Sequence, residues 1–176
     1  MEEFLASVER SAFRMARMAT GDTEDALDIV QDAMLGLVRS YSHKPSSEWR
    51  PLFYMILQNR IRDWARRRSS RGRWLVWLRG AAGGEGGRDP DPLESVADPE
   101  ARGPVEQADT SFALSAIDSA LGGLPLRQQQ VFLLRAWEGL SVKEAARAMG
   151  CTEGTVKTLY SRAVRTLRSE LEDYRP

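Results

Sequence analysis

The chain has 176 residues, 42% of them hydrophobic, so it can form one medium domain or two small ones. Its 25 Lys/Arg and 25 Asp/Glu residues give a formal net charge of zero. No apolar run approaches the roughly 18 residues that a membrane span needs, and the amphipathic N-terminus, which begins with acidic residues, does not have the pattern of a secretory signal. A single cysteine, Cys151, and a single histidine, His43, exclude an internal disulfide and the ligand spacings of zinc or haem sites, so we expect a cytoplasmic protein without a cofactor.

Three amphipathic helices are predicted before residue 80. Apolar residues at helical spacing mark the first, which residues 20–22 interrupt: Phe4, Leu5, Val8, Ala12, Met15 and Ala19. The second begins with Glu24 and Asp25, where the helix dipole favours acidic groups, and runs to about Tyr41. Its apolar stripe consists of Ala26, Ile29, Val30, Ala33 and Leu37. The third begins near Glu48, and its inward residues are Leu52, Phe53, Ile56, Leu57, Ile61 and Trp64.

The third helix runs into a dense arginine cluster. Between residues 60 and 73 there are seven arginines and one acidic residue. They cover more than one helix face, so pairing within the helix cannot explain them. Phosphate binding is the physical use of such density, and a merely solvated helix end is the alternative. The neighbouring Trp49, Tyr54 and Trp64 suit either core packing or stacking on unpaired bases. The apolar run 74–78 either extends this helix, which we favour, or forms an exposed partner site.

Acidic residues gather at the start of the second helix. Asp25, Asp28 and Asp32 share one helical face. A metal or acid–base site is disfavoured because no His, Cys or glycine-rich phosphate loop lies nearby in the sequence. A protein-binding acidic face is the better interpretation, and we predict no catalytic residue in the chain.

The stretch 80–109 differs from the rest of the chain. It is rich in Gly and Pro, and from residue 81 it carries 8 Asp/Glu against 2 Lys/Arg. The residues before it carry 14 Lys/Arg against 10 Asp/Glu, and those after it carry 9 against 7. Such a segment cannot bury enough apolar surface to offset the entropy of ordering. It predicts a flexible acidic linker between two small helical domains, at 1–79 and 110–176, in an all-α fold.

Two helices are predicted between the linker and residue 140. The first contains Ala113, Ala116, Ile117, Ala120 and Leu121 and ends at a pair of glycines. Leu124-Pro125 opens the second, and Glu138-Gly139 closes it after about Trp137. Alternating β-branched residues are absent from the sequence, so no strand is predicted.

A helix-turn-helix pattern follows from residue 140 onward. Ser141 and Glu144 form a capping box, which predicts the start of a short helix. The small inner face of that helix is Val142, Ala145, Ala146 and Met149. Gly150 can end it in the left-handed conformation, and Thr152 can cap the next helix.

The last helix presents two chemically different faces. Its inner face is Val156, Tyr160, Ala163, Leu167 and Leu171. Its outer face is Thr155, Lys157, Thr158, Ser161, Arg162 and Arg165. The inner stripe anchors the helix, and the outer face offers donors to base edges and phosphates, as a recognition helix in the major groove does. An ordinary amphipathic helix with a solvated charged face is the alternative.

Taken together, these motifs resemble regions 2 and 4 of bacterial RNA polymerase sigma factors of the sigma-70 family. The C-terminal resemblance rests on Leu124-Pro125, the run 129–134, the run 138–141, Glu144-Ala145-Ala146, the run 154–157 and Arg162-Ala163. The N-terminal resemblance rests on the run 28–32, which matches a core-binding helix, and on Tyr54, Ile56, Asn59 and Asp63, which match a promoter-opening helix. With only these regions, the chain resembles the extracytoplasmic-function (ECF) type. Region 4 alone would also fit a response-regulator DNA-binding domain.

The resemblance implies a non-catalytic initiation factor that binds core RNA polymerase, at the large-subunit clamp helices and flap, and promoter DNA. The residues implied in core-polymerase binding are Asp28, Gln31 and Asp32. Those implied at the −10 element, with the loop 42–47, are Trp49, Tyr54, Asn59, Arg60, Asp63, Arg66 and Arg67. Those implied at the −35 element are Thr155, Lys157, Thr158, Ser161, Arg162 and Arg165. The linker would thread the polymerase cleft, and an anti-sigma protein that clamps between the domains is a candidate regulator.

Four positions depart from the family pattern. Leu27 replaces a usual Glu, Leu52 a usual Trp, and Leu159 and Val164 each a common Arg. These departures concern individual contacts and leave the helical pattern intact. Two other classes of protein remain as alternatives: a stand-alone helix-turn-helix regulator with a sensor or dimerisation domain, and an adaptor that binds only protein through its basic helix.

Overall fold

The computed structural model describes the backbone of residues 1–79 and 110–172 and the side chains of residues 1–68 and 116–172. Within these ranges the fold is all-α, with no strand. Its helices are α1 (Glu2–Thr20), α2 (Thr23–Tyr41), α3 (Ser46–Arg79), α4 (Thr110–Gly122), α5 (Leu126–Phe132) with a π-helical turn (Leu133–Trp137), α6 (Val142–Met149) and α7 (Glu153–Glu170). The predicted linker, 80–109, lies outside the described residues.

The break between α1 and α2 has the predicted residues and a clear geometry. Gly21 ends α1 in the left-handed conformation, with φ of 72°, and its N–H donates to the Arg17 carbonyl. Asp22 caps α2, because its carboxylate accepts the Asp25 N–H at 3.0 Å. Helices α1 and α2 therefore pack side by side as a hairpin, and α3 lies across both.

The apolar stripe of α2 was predicted correctly, since all of its members are buried: Ala26, Ile29, Val30, Ala33 and Leu37. In α1, Val8, Ala12 and Met15 are buried as predicted, whereas Phe4, Leu5 and Ala19 are only partly buried. Ala16 and Thr20 complete the buried face of α1. These side chains form the core of the N-terminal module, which consists of α1, α2 and α3; the C-terminal module consists of α4 to α7.

The inward face of α3 differs from the prediction in part. Phe53, Leu57 and Ile61 are buried, but the expected Leu52, Ile56 and Trp64 are only partly buried. In addition, the structure buries Tyr54, Gln58 and Ala65. The physical reason is that α3 has partners on two sides, because it packs against α1 and α2 and also against α6 of the C-terminal module.

At its C-terminal end, α3 remains helical to Arg79. The prediction that residues 74–78 extend the third helix is therefore confirmed for the backbone. The side chains of residues 74–78 are not among the described ones.

The C-terminal module is organised by caps at each turn. The Ser141 hydroxyl accepts the Glu144 N–H at 3.2 Å, and the Glu144 carboxylate accepts the Ser141 N–H at 2.8 Å, so the predicted capping box is confirmed. Gly150 ends α6 with φ of 61°, and Thr152 caps α7 by accepting the Thr155 N–H at 3.2 Å. These caps fix the angle between the helices of the helix-turn-helix.

Before the helix-turn-helix, the chain takes an unpredicted π-helical turn at Leu133–Trp137. The Glu138 N–H donates to the Leu133 carbonyl at 3.0 Å, and Gly139 then leaves the helix with φ of 66°. The closing pair Glu138-Gly139 was predicted correctly. The wider turn, however, changes the direction in which Glu138 leaves the helix.

The inner faces of α6 and α7 are close to those predicted. Ala145, Ala146 and Met149 of α6 are buried, together with Ala148, which was not predicted. In α7 the buried residues are Val156, Leu159, Ala163 and Leu167. The face of α7 is thus turned slightly toward Leu159, and the predicted Tyr160 lies at its edge, half-buried.

Candidate nucleic-acid and partner interfaces

The outer face of α7 is exposed. Lys157, Thr158, Ser161, Arg162 and Arg165 all lie in solvent, and Thr155 is half-buried beside the helix cap. The Thr158 hydroxyl donates to the Gly154 carbonyl at 3.0 Å, and the Thr155 hydroxyl lies 2.9 Å from that of Thr152. The threonine hydroxyls therefore have local partners, whereas the basic side chains extend into solvent.

Leu159, one of the departures from the family pattern, is part of the core of the C-terminal module. It is 7% exposed, so an arginine there could not point outward without rotating the helix. Next to it, the Tyr160 ring stacks on Phe132 at a centroid distance of 5.9 Å. Arg135 lies 5.8 Å from the Tyr160 ring. These contacts orient α7 on α5.

The exposed face of α2 carries both acidic and apolar groups. Asp28, Gln31 and Asp32 are all exposed, and Asp32 lies 3.9 Å from Arg60 of α3. Leu27, a departure from the family pattern, is 54% exposed on the same helix. Two further exposed apolar residues of α2 are Leu35 and Val38. Sequence reasoning found the carboxylates but missed the apolar part, although these residues fall outside the core stripe and could have been noticed on that ground.

The predicted strand-binding residues of α3 divide into exposed and enclosed groups. Asn59, Arg66 and Arg67 are exposed, while Arg60 and Asp63 are half-buried. Asn59 accepts a hydrogen bond from Arg62, its neighbour one turn along. The structure therefore brings most of this set to one helix surface.

The aromatic residues near the arginine cluster have structural contacts. Trp49 is half-buried, its indole N–H donates to the Lys44 carbonyl at 2.9 Å, and its ring lies 5.9 Å from that of Phe4. The guanidinium of Arg68 lies 5.4 Å from the Trp64 ring. Trp49 therefore packs α3 against α1, and Trp64 contacts α2 through a hydrogen bond to Asp25.

Tyr54 occupies a different environment from the other predicted strand-binding residues. Its side chain is 0% exposed, its hydroxyl donates to the Glu138 carboxylate, and Ser11 lies 3.0 Å away. Burial, followed by the hydrogen bond to Glu138, raises the pKa of the phenol well above its ordinary value. In this arrangement of the modules, Tyr54 has no free ring face on which a base could stack.

A polar interface joins the modules around Tyr54. Arg50 Nη2 donates to both the carboxylate and the backbone carbonyl of Glu138, each at 2.9 Å. One turn beyond Tyr54 on α3, Gln58 Nε2 donates to Gln130 Oε1 at 2.9 Å. Sequence reasoning missed Glu138 and Gln130, because an acid before a glycine and a glutamine in a helix carry no signal for a contact this distant in sequence.

A small cleft lies between the modules beside these hydrogen bonds. Its lining includes Ile61 and Arg62 of α3 and Met149 of α6. Among the described residues, no cluster of His, Cys, Asp or Glu has the arrangement of a metal site. No helix in the described part of the chain is both long and apolar enough to cross a bilayer.

Comparison with known proteins agrees with this geometry. The protein-family model of sigma-70 region 2 matches residues 1–71, and the family model of sigma-70 region 4 matches residues 114–167. The RNA polymerase sigma-E factor of Streptomyces avermitilis is 31% identical over 172 residues, which cover 97% of this chain and 84% of that protein. The chain belongs to the sigma-70 family of sigma factors.

The ECF RNA polymerase sigma factor SigM of Mycobacterium tuberculosis is also similar to this sigma factor. It is 30% identical over 158 residues, which cover 88% of this chain and 68% of SigM. The fold is similar to that of the sigma factor RpoE in its complex with the anti-sigma factor NepR from Bartonella quintana, with a TM-score of 0.63, 22% identity, and coverage of 99% of this chain and 100% of that one. The sigma factor described here is of the ECF type. It binds core RNA polymerase and directs transcription from specific promoters.

Proposed function

We propose a division of work among three helices of this sigma factor: α2 binds core polymerase, α3 holds the melted −10 strand, and α7 reads the −35 duplex. The proposal depends on one observation: the three helices present surfaces of different chemistry, and each surface suits one of the three partners. An acidic and apolar face, an arginine-rich helix and a basic recognition helix are presented by separate elements of one chain.

The proposal for α7 rests on exposure and charge. Lys157, Arg162 and Arg165 reach solvent from one side of the helix, while Val156 and Ala163 hold the other side in the core. Cationic side chains on such a face position a helix through phosphates and identify bases through their edges.

For α2, the mixed surface supports a protein partner. Asp28, Gln31 and Asp32 supply polar contacts, and the exposed Leu27 and Leu35 supply apolar area that burial against a partner would stabilise. Nucleic acid would be repelled by the carboxylates, so polymerase is the partner that fits this face.

For α3, the arginine cluster supports strand binding. Arg67 is exposed and Arg60 is half-buried on this helix, with the exposed Asn59 beside them, so part of the arginine cluster reaches solvent. Backbone phosphates satisfy such a surface, and aromatic rings nearby can stack on unpaired bases. Tyr54 can take that role only after the modules separate, because Glu138 covers it here. We propose that the protein acts in the cytoplasm and without catalysis of its own, since the chemistry belongs to the polymerase.

Transcription in vitro tests the proposal. Core RNA polymerase from Streptomyces coelicolor would be mixed with the full chain and with pooled fragments of the genome that encodes it, and transcript 5′ ends would be sequenced. We expect discrete start sites that share two upstream sequences at a fixed spacing. Start sites identical to those of core polymerase alone would contradict the proposal.

A matched pair of variants separates the roles. Lys157→Ala with Arg162→Ala should abolish selective start sites while polymerase binding persists. The control, Arg10→Ala with Arg17→Ala, removes the same charge from exposed positions of α1 and should leave both properties unchanged.

A further inference from the structure

Thr158 lies on the exposed, basic side of α7. It is the sixth residue of the helix, and the exposed Arg162 follows one turn later on the same side. Val156 and Leu159 are buried on the other side, so the helix cannot roll to hide Thr158. In a recognition helix the residues near the N-terminal end are those that reach base edges. Thr158 therefore stands where a side chain can contact a base.

The hydroxyl of Thr158 is bonded to the backbone of its own helix. Its O–H donates to the Gly154 carbonyl, one turn earlier, at 3.0 Å. A threonine within a helix commonly makes this local bond, and the bond selects the rotamer of its β-branched side chain. The donor proton is therefore used inside α7, and the γ-methyl group is the part of the side chain that remains for an outside partner.

The surroundings of Thr158 on α7 supply few alternative hydrogen-bond donors. Leu159 and Val164, which replace two common arginines of the family pattern, are buried and half-buried. The hydroxyl of Thr155, one turn before Thr158, lies 2.9 Å from that of Thr152 at the helix cap. Apolar contact thus becomes a larger part of what this segment of the helix can offer to a base.

Among the four bases, thymine alone presents a methyl group in the major groove, at C5, and the methyl group of threonine is one of the side-chain groups that contact it. Contact between two methyl groups removes apolar surface from water, so it favours thymine over bases that lack the group.

We propose that Thr158 is a specificity-determining residue of α7, and that its γ-methyl group recognises the 5-methyl group of a thymine in the −35 element. The inference rests on the proposed role of α7 at that element. It adds the chemistry of one contact, in which a pair of methyl groups takes the place of a hydrogen bond from the hydroxyl. The −35 element should therefore contain an A·T pair whose thymine methyl group contributes to affinity.

Two substitutions that each keep a different half of the side chain test the proposal. Thr158→Val replaces the hydroxyl by a second methyl group, whereas Thr158→Ser removes the methyl group and keeps the hydroxyl. Holoenzymes formed from core polymerase and each full-length protein would be compared by fluorescence anisotropy on a promoter taken from the transcription experiment. Each thymine of the −35 element would be replaced in turn by uracil, which lacks only the 5-methyl group.

At one position, uracil should weaken binding by the native protein and by Thr158→Val about fourfold, the factor expected when one methyl group is no longer removed from water. Thr158→Ser should bind the thymine promoter about fourfold more weakly than the native protein does, and it should lose no further affinity with that uracil. Uracil at a thymine outside both promoter elements is the control, and it should change none of the three affinities.

The opposite pattern would overturn the proposal. If the preference for thymine survives in Thr158→Ser and is lost in Thr158→Val, the hydroxyl is the group that reads the base. Equal affinity of the native protein for every uracil-substituted promoter, or a −35 element without an A·T pair, would also refute the methyl contact.

Scrambling the whole −35 element separates a failure of this inference from a failure of the proposed role of α7. If no uracil matters but the native protein loses affinity for the scrambled promoter, α7 reads the element through other contacts, and only the methyl contact is refuted. If scrambling changes nothing, the proposed role of α7 fails as well.

Discussion

The indole N–H of Trp64 donates a 2.9 Å hydrogen bond to Asp25 Oδ2, which ties the arginine-rich helix α3 to the first turn of α2. The backbone N–H of Asp25 donates a second hydrogen bond, to the carboxylate of Asp22, which caps α2. Helix α3 is therefore positioned by the start of the helix that carries the proposed polymerase face, so the two surfaces are mechanically linked.

Trp64→Phe should weaken this link. The ring remains but the donor is lost, and the free energy of unfolding should fall by about 1 kcal/mol, the usual net value of one such hydrogen bond. Urea denaturation measures the change. The control is Trp137→Phe, at an exposed position, which should change stability by no more than about 0.5 kcal/mol. Equal effects in the two variants would show that the Trp64 hydrogen bond contributes nothing specific.

Asp28→Arg with Asp32→Arg should weaken association with core polymerase, because the substitutions reverse the charge of the proposed binding face. Far-ultraviolet circular dichroism should be unchanged, since both side chains are exposed. Binding to immobilised core polymerase gives the measurement. Glu2→Arg with Glu9→Arg, on the exposed side of α1, is the control. Unchanged affinity of the α2 variant would remove α2 from the polymerase interface.

Arg162→Ala should reduce affinity for a selected promoter by about 1–3 kcal/mol if the guanidinium makes a base-specific contact. The loss should shrink when the −35 sequence is scrambled, because a base contact contributes only at its own sequence. Fluorescence anisotropy with the polymerase holoenzyme measures both affinities. The same loss on both DNAs would identify a phosphate contact instead.

The capping box of α6 makes a pH-dependent contribution to stability. The hydrogen bonds from Ser141, the hydroxyl first and then the backbone, hold the pKa of the Glu144 carboxyl below its ordinary value. Because the folded pKa is the lower one, this stabilisation is present at neutral pH and is lost as the pH falls from the ordinary glutamate range through the folded value. Glu144→Gln should therefore lower the Tm at neutral pH and converge with the native sequence in acid.

Ser141→Ala provides the companion measurement. Loss of the cap should cost about 1 kcal/mol of stability at neutral pH. Ser40→Ala, at an exposed helical position that caps nothing, should have little effect. Parallel pH profiles for Glu144→Gln and the native sequence would refute the carboxylate contribution.

The buried face of a helix could be predicted from the sequence when that helix packs against other helices on one side only. The stripe of α2 was predicted in full, because that helix buries one face and its apolar residues follow a single period. Helix α3 buries two faces, and the second is lined by Tyr54 and Gln58, whose polar groups give no apolar signal. The sequence therefore suggested an inner face that was only half right.

The candidate sites show the same division. The exposed face of α7 could be predicted because charge and apolar residues alternate at helical spacing around one axis. The contact of Glu138 with Arg50 joins residues far apart in sequence, and it also depends on a π-helical turn that no residue pattern announces. Leu159, which replaces a common Arg of the family pattern, was assigned to neither face of α7, and the structure buries it in the core.

The π-helical turn at Leu133–Trp137 accommodates one residue more than a regular helical turn would before Glu138. Each residue of a regular helix advances the direction of the next by roughly 100°. Removing a single residue here, for example Ala136, should convert the wide turn into a regular one in which the Glu138 N–H still donates to the Leu133 carbonyl, so that Glu138 keeps its direction toward α3. Relatives that are one residue shorter at this point should therefore retain the carboxylate contact wherever they carry residues equivalent to Arg50, Tyr54 and Glu138.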